Sequence, residues 1–162
     1  MDLWQPAYIG VGSNVDNPTA QVRLAVQKLH EVPETRVISV SALYGSRPFG
    51  PIAQPDFVNA VVGALTRLAA GKLLLELQAL ERGLGRPARH PKWGPRVIDL
   101  DLLVYGGERA RESDLALPHP SIAERNFVLY PLADIAPDLD VPGMGRVSEL
   151  AARVTKRDIW PL

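Results

Sequence analysis

Asp99 and Asp101 are the residues whose type and spacing speak most directly of chemistry. They lie in IDLDLLVY, Ile98 to Tyr105, an aliphatic and β-branched run that reads as a strand. In a strand, residues i and i+2 point the same way, about 6.6 to 7 Å apart along the chain. That alternation predicts Ile98, Leu100, Leu102 and Val104 on a core face, with both carboxylates on the other face beside Leu103 and Tyr105. Two like charges at this spacing repel, and a divalent cation, or a pair roughly 3.5 to 4 Å apart, is their natural partner. A solvated polar face of an edge strand is the alternative.

The segment ahead of the pair, Arg82 to Ile98, holds five Lys/Arg and no acid. Guanidinium forks at Arg86, Arg89 and Arg96 match phosphate oxygens, so cations beside a carboxylate pair suit a metal-bound polyphosphate. A basic loop that merely neutralises nearby acids is the simpler explanation. Trp93 inside this loop could cover a flat ligand or fill the core. Phe57 and Asn59 share a strand face and offer a ring plus an amide, a pair suited to a planar heterocycle or to ordinary packing. His119, fixed between Pro118 and Pro120, becomes a hydrogen-bond donor if a phosphate lies nearby.

Other nucleotide signatures fail. Gly71-Lys72 is followed by Leu73 and Thr66 stands five places before Gly71, which excludes a P-loop. Gly10-x-Gly12 has Val15 where a dinucleotide fingerprint needs its third glycine, so these glycines serve close backbone packing.

The elements that must position these residues follow from periodicity. Ala7 to Gly12 reads as a strand; Asn17 caps and Pro18 opens a helix with Val22, Ala25, Val26 and Leu29 on one face. Thr35 to Tyr44 and Phe57 to Leu65 read as two strands joined by a Pro/Gly-rich loop. Ala69 to Arg82 is a second helix, ended by Gly83. Gly106-Gly107 offers a hairpin turn after the Asp-bearing strand, Ser121 to Glu124 a capping box, and Ser148 to Val154 a last helix. The order β-α-β-β-α-β predicts an α+β, ferredoxin-like sandwich with helices on one sheet face and an extra C-terminal hairpin and helices.

The chain has 162 residues, 18 basic and 18 acidic side chains and 46% hydrophobic content, enough for one compact domain spanning 1–162. Zero net charge provides no global attraction to nucleic acid or anionic membrane. Absence of cysteine excludes disulfides, thiolate metal sites and thiol catalysis, leaving His30, His90 and His119 as nitrogen ligands and favouring a hard cation held by carboxylates. The start MDLWQPAYIG has no basic n-region or apolar h-region, and no stretch nears the ~18 apolar residues of a membrane helix, so the expectation is a cytoplasmic protein.

Four blocks together, YIGVGSN, YGSRPFGPIAQPDFVNAVV, LERGLGRPARHPKWGPRVIDLDLL and LPHPSIAERNFVLYPLADIAP, resemble the 6-hydroxymethyl-7,8-dihydropterin pyrophosphokinases of folate biosynthesis. The resemblance implies a ferredoxin-like fold, ATP as co-substrate and AMP as product. It implies that Asp99 and Asp101 ligate two magnesium ions. Arg86, Arg89, Arg96, His119 and Arg125 then hold the triphosphate, with Arg86 and Arg96 catalytic, and Gln78 and Glu81 lie near the nucleotide. Asn59 hydrogen-bonds the pterin, Phe57 and Phe127 stack on it, and Ser46, Pro48, Phe49 and Gly50 close over it, while Trp93 covers the site. Partners are small molecules alone, with no nucleic acid or membrane, and the chain is expected to be monomeric.

Val97, Asn126, Arg47 and Asp114 depart from the family pattern without removing a metal ligand or stacking residue; Asp114 puts one auxiliary phosphate contact in question. In the implied reaction the pterin hydroxyl attacks the β-phosphorus, and positioning plus charge stabilisation supply the catalysis. Segments 45–56 and 83–95, bounded by Gly and Pro, are expected to act as mobile lids. A ferredoxin-like RNA or nucleotide binder leaves the aspartates unexplained, and a nucleotide-sugar transferase leaves the other blocks unexplained.

Overall fold

A computed structural model describes residues 3–85 and 97–162. The chain runs β1 (Gln5–Ser13), α1 (Pro18–Leu29), β2 (Thr35–Val40), β3 (Tyr44–Ser46), β4 (Phe57–Thr66), α2 (Ala70–Gly83) and β5 (Asp99–Tyr105). Beyond these come β6 (Ala110–Arg111), β7 (Ala116–Leu117), a 3-10 turn (Ile122–Glu124), α3 (Asn126–Ile135), β8 (Asp140–Val141), β9 (Gly145–Arg146), α4 (Val147–Arg153) and β10 (Ile159–Pro161).

Six strands form one antiparallel sheet in the order β10-β3-β4-β1-β5, with β2 also pairing β4. Taking β2 and β3 as one interrupted strand, the ferredoxin-like order emerges. Alternation along β1 and β4 builds the first core: Ile9, Val11, Val58, Ala60 and Val62 face Val22, Ala25 and Leu29 of α1 and Leu73 and Leu77 of α2. Asn17 caps α1 as expected, its side chain accepting the Ala20 N–H at 3.4 Å, with Pro18 as first helical residue.

α1 and α2 share one sheet face as expected, and the extra C-terminal helices take the other. Val61, Leu103 and Val104 pack with Ile122, Leu129 and Leu132, Val147 and Leu150, so α3 and α4 cover the other side. The molecule thus has three layers, because α3 and α4 each carry an apolar stripe that must be buried.

Four local expectations are corrected. The run Thr35 to Tyr44 breaks into two strands at Ser41, whose Oγ accepts the Val61 N–H at 2.9 Å while its own N–H donates to Val61 O. The side chain thereby replaces a ladder partner. In β5 the register with β1 shifts between Tyr8 and Ile9, pairing Ile9 with Leu102 but Tyr8 with Val104. This bulge at Leu103 sends Val104 to the α3 side and turns Tyr105 toward the first core, where its hydroxyl donates to Leu68 O. Leu103 alone stays on the aspartate side as alternation predicts. Ser121 makes no side-chain cap, and its segment is a 3-10 turn instead of a capped helix. The Gly106-Gly107 turn leads to β6, which pairs β7 in a separate hairpin and not β5.

Candidate functional site

The site lies on the sheet face toward α3, above the middle of β1, β4 and β5. Gly10 pairs with Asp101, and Gly12 stands between Asn59 and Asp99. With no side chains on these two positions, the sheet floor is bare where alternation would otherwise place bulk. A cavity of about 220 Å³ opens there, floored by Gly10 and Gly12 and walled by Phe57, Asn59, Asp99, Asp101, Ser46, Phe49, Arg125 and Phe127. That is below the roughly 300–1,000 Å³ of pockets for drug-sized ligands and suits one small planar molecule.

Asn59 is buried, and its Nδ2 donates to Ser46 Oγ at 2.7 Å. The amide is thereby locked with Oδ1 toward Gly12, 3.2 Å from where a Cβ would stand, an acceptor aimed across the cavity floor. Opposite, α3 delivers Phe127, whose ring meets Phe49 edge-on with centroids 5.4 Å apart. The Arg125 guanidinium lies 5.6 Å from the Phe127 ring centre, at the N-terminus of α3, where helix dipole and side chain are both positive.

One end of the site is therefore flat and aromatic, and the other is charged. His119 stands at the charged end. Its Nδ1 accepts the Ser121 N–H at 3.2 Å, which leaves the ring proton on Nε2. Burial, then the Arg125 cation, push its pKa down to about 4, against the opposing pull of Asp99. The imidazole is neutral at pH 7 and presents Nε2–H as a donor.

Eight of the sequence-predicted residues meet at one cavity: Ser46, Phe49, Phe57, Asn59, Asp99, Asp101, Arg125 and Phe127. Pro48, Gly50, Gln78, Glu81 and His119 do not line it. Glu81 is buried, and its carboxylate accepts the Leu100 N–H at 2.8 Å, gripping β5 between the two aspartates. Arg86, Arg89, Trp93 and Arg96 lie outside the described residues, as does most of the expected lid 83–95. The other expected lid is anchored at both ends: Tyr44–Ser46 belong to the sheet, and buried Asn14 donates to Gln54 Oε1 and Pro55 O at 2.8 and 2.9 Å.

Sequence reasoning missed Gly10 and Gly12 as the floor. Two glycines at strand spacing leave a bare face, and that signal could have found them. It also passed over Arg47 as a lining residue.

Asp99 and Asp101, half-buried on one face over bare glycines, form an all-oxygen donor pair that fits a hard divalent cation. No helix among the described residues is long and apolar enough to cross a membrane.

Residues 8–137 match the family model for 7,8-dihydro-6-hydroxymethylpterin-pyrophosphokinase (HPPK). Among curated relatives, a 2-amino-4-hydroxy-6-hydroxymethyldihydropteridine pyrophosphokinase of Pseudomonas aeruginosa is 45% identical over 148 residues, covering 91% of each chain. Another, from Haemophilus influenzae, is 42% identical over 144 residues and 89% of each chain. In fold, the chain is similar to a Plasmodium falciparum HPPK-DHPS crystallised with pterin and p-hydroxybenzoate, with TM-score 0.73 at 12% identity. That similarity covers 98% of this chain and 47% of the longer one, so the chain spans under half its length.

Proposed function

The chain belongs to the 7,8-dihydro-6-hydroxymethylpterin-pyrophosphokinase family, and from that premise we infer that it transfers pyrophosphate from ATP to the hydroxymethyl group of 6-hydroxymethyl-7,8-dihydropterin, releasing AMP, in folate biosynthesis. The observation that carries this reading is one cavity in which an aromatic, amide-lined end meets a carboxylate pair and an arginine.

The pterin lies flat between Phe57 and Phe127, with Phe49 at the mouth. Asn59 Oδ1 accepts a ring N–H while Ser46 holds the amide in orientation. This arrangement aims the hydroxymethyl oxygen toward Asp99 and Asp101, where the triphosphate binds. Arg125 and the His119 Nε2–H stabilise phosphate oxygens from the protein side; by the family resemblance Arg86, Arg89 and Arg96 also bind the triphosphate, Arg86 and Arg96 with a catalytic role. Gln78 flanks the nucleotide from α2, Glu81 acts beneath it by holding Leu100 between the two aspartates, and Pro48, Gly50 and Trp93 cover the substrates. The O–Pβ bond forms as the bond from Pβ to the bridging oxygen of AMP breaks, and the hydroxyl proton passes to solvent. Asp99 and Asp101 would hold magnesium, which supplies charge neutralisation at the phosphates.

In this reading residues 1–162 act as one domain and the chain works as a monomer, with both cores and the cavity drawing on elements from β1 to α4. A reaction that consumes ATP fits the cytoplasmic nucleotide pool.

The deciding experiment incubates the protein with ATP, magnesium and 6-hydroxymethyl-7,8-dihydropterin and identifies the nucleotide product. AMP is expected; ADP indicates a simple kinase and overturns the reading, as does unchanged ATP.

A further inference from the structure

The two walls of the cavity come from separate stretches of chain: Ser46 ends β3 with Arg47 just beyond it, and Arg125 caps α3 with Phe127 in its first turn. Both are tied to the same short C-terminal segment. On the α3 side, buried Asn126 spends both amide protons on it, donating to Thr155 O at 3.1 Å and Arg157 O at 3.0 Å. The Tyr130 hydroxyl donates to Thr155 O at 3.3 Å.

On the β3 side, the Arg47 N–H donates to Asp158 O at 2.9 Å, and Arg47 Nε lies 3.4 Å from Asp158 Oδ1. Beyond it, β10 pairs with β3 through Ile159–Ser46 and Trp160–Gly45. The Trp160 ring lies so close over Gly45 that any Cβ there would collide with it. Consecutive residues 157 and 158 therefore grip opposite walls. The chain changes direction between them through Asp158 at φ 63°, in the left-handed region that few non-glycine residues adopt.

We propose that residues 155–161 act as a positioning strap that sets the width of the substrate slot, by fixing the Ser46–Phe49 wall against the Phe127 wall. The proposal rests on the pterin reading of that slot. β10 has three residues, Ile159 and Trp160 partly buried and Pro161 exposed, and none of them belongs to either core, so its hydrogen bonds serve geometry more than global stability. At the charged end Asp99 and Asp101 are held differently, by the β1–β5 ladder and Glu81, and Arg125 alone shares the α3 wall. Slot width and nucleotide binding are accordingly separable.

The test uses Asn126→Ala and Trp160→Ala in the full chain, neither residue lining the cavity. Calorimetry measures Kd for 6-hydroxymethylpterin at saturating magnesium and an ATP analogue with methylene between the α and β phosphorus. Kd for that analogue is measured separately. Each variant is expected to weaken pterin binding about tenfold; the analogue's Kd stays within about twofold in Trp160→Ala, which leaves the Arg125 wall anchored, and weakens less than pterin binding in Asn126→Ala. Unchanged pterin affinity in a folded variant, or equal weakening of both ligands, overturns the strap. If Asn126→Ala does not fold, Trp160→Ala decides alone. Wild-type protein that binds no pterin overturns the functional reading and the strap with it, whereas wild-type binding with unaltered variants overturns the strap only.

Discussion

The same strands present two opposite surfaces. Toward α1 and α2, β1 and β4 show Ile9, Val11, Val58, Ala60 and Val62, closed and dry. Toward α3, the alternate positions read Gly10, Gly12, Phe57 and Asn59, and the surface opens into a cavity. One residue separates a core position from a site position throughout. A rigid apolar face thus holds the backbone under the functional one, and precision at the site is inherited from packing on the far side. The contrast also divides mutations: changes at the cavity positions of the α3 face should move function, and changes on the α1/α2 face should move stability.

The largest effect tests the functional half of that division. Asp99→Ala and Asp101→Ala should each lower turnover about a thousandfold or more, through loss of charge stabilisation at the phosphates. The metal-free fold should survive, because neither side chain belongs to either core. AMP release and a thermal melt on the same samples check both; near-parental turnover in either variant would remove the carboxylates from the chemistry.

Leu77→Ala tests the other half. Leu77 is fully buried between α2 and the sheet, and its truncation should cost about 2–5 kcal/mol of unfolding free energy. Below its melting temperature the folded variant should retain pterin and nucleotide affinities. A selective loss of pterin affinity at unchanged stability would erase the distinction between the faces.

Much of this division is legible in the chain itself. The alternation in AYIGVG and FVNAVVGAL places core and site residues on opposite faces, and Asp-x-Asp declares its shared side. What escapes is whatever depends on a partner strand or a neighbouring side chain. The bulge at Leu103 arises from pairing with Tyr8 and Ile9, so simple alternation misplaces Val104 and Tyr105. The strand break at Ser41 comes from one hydroxyl replacing a ladder bond to Val61, a choice no hydropathy pattern encodes. Likewise Ser121 resembles a helix cap, but its backbone N–H is committed to His119 and its side chain caps nothing. The second covered face was invisible for a related reason: the apolar stripes of α3 and α4 are plain, but their target is not.

The finest test lies at Gly12, where the two faces are closest in sequence, between Val11 in the core and Ser13. A Cβ there would stand 3.2 Å from Asn59 Oδ1, tighter than ordinary contact. Asn59 cannot swing away freely, because Nδ2 is held by Ser46 Oγ at 2.7 Å. Gly12 has no left-handed backbone requirement, so Gly12→Ala introduces no φ strain and recovers about 0.5–1 kcal/mol of chain entropy in the strand. Stability should therefore hold or rise slightly while the displaced acceptor weakens pterin binding severalfold, an effect near 1 kcal/mol. Gly10→Ala is the matched control, since it adds the same methyl to the cavity floor but its Cβ would meet Leu103 first, at an ordinary 3.5 Å. Equal pterin affinities for the two alanine variants would mean that the amide at Asn59 does not read the ring, even if the aspartates and the core behave as expected.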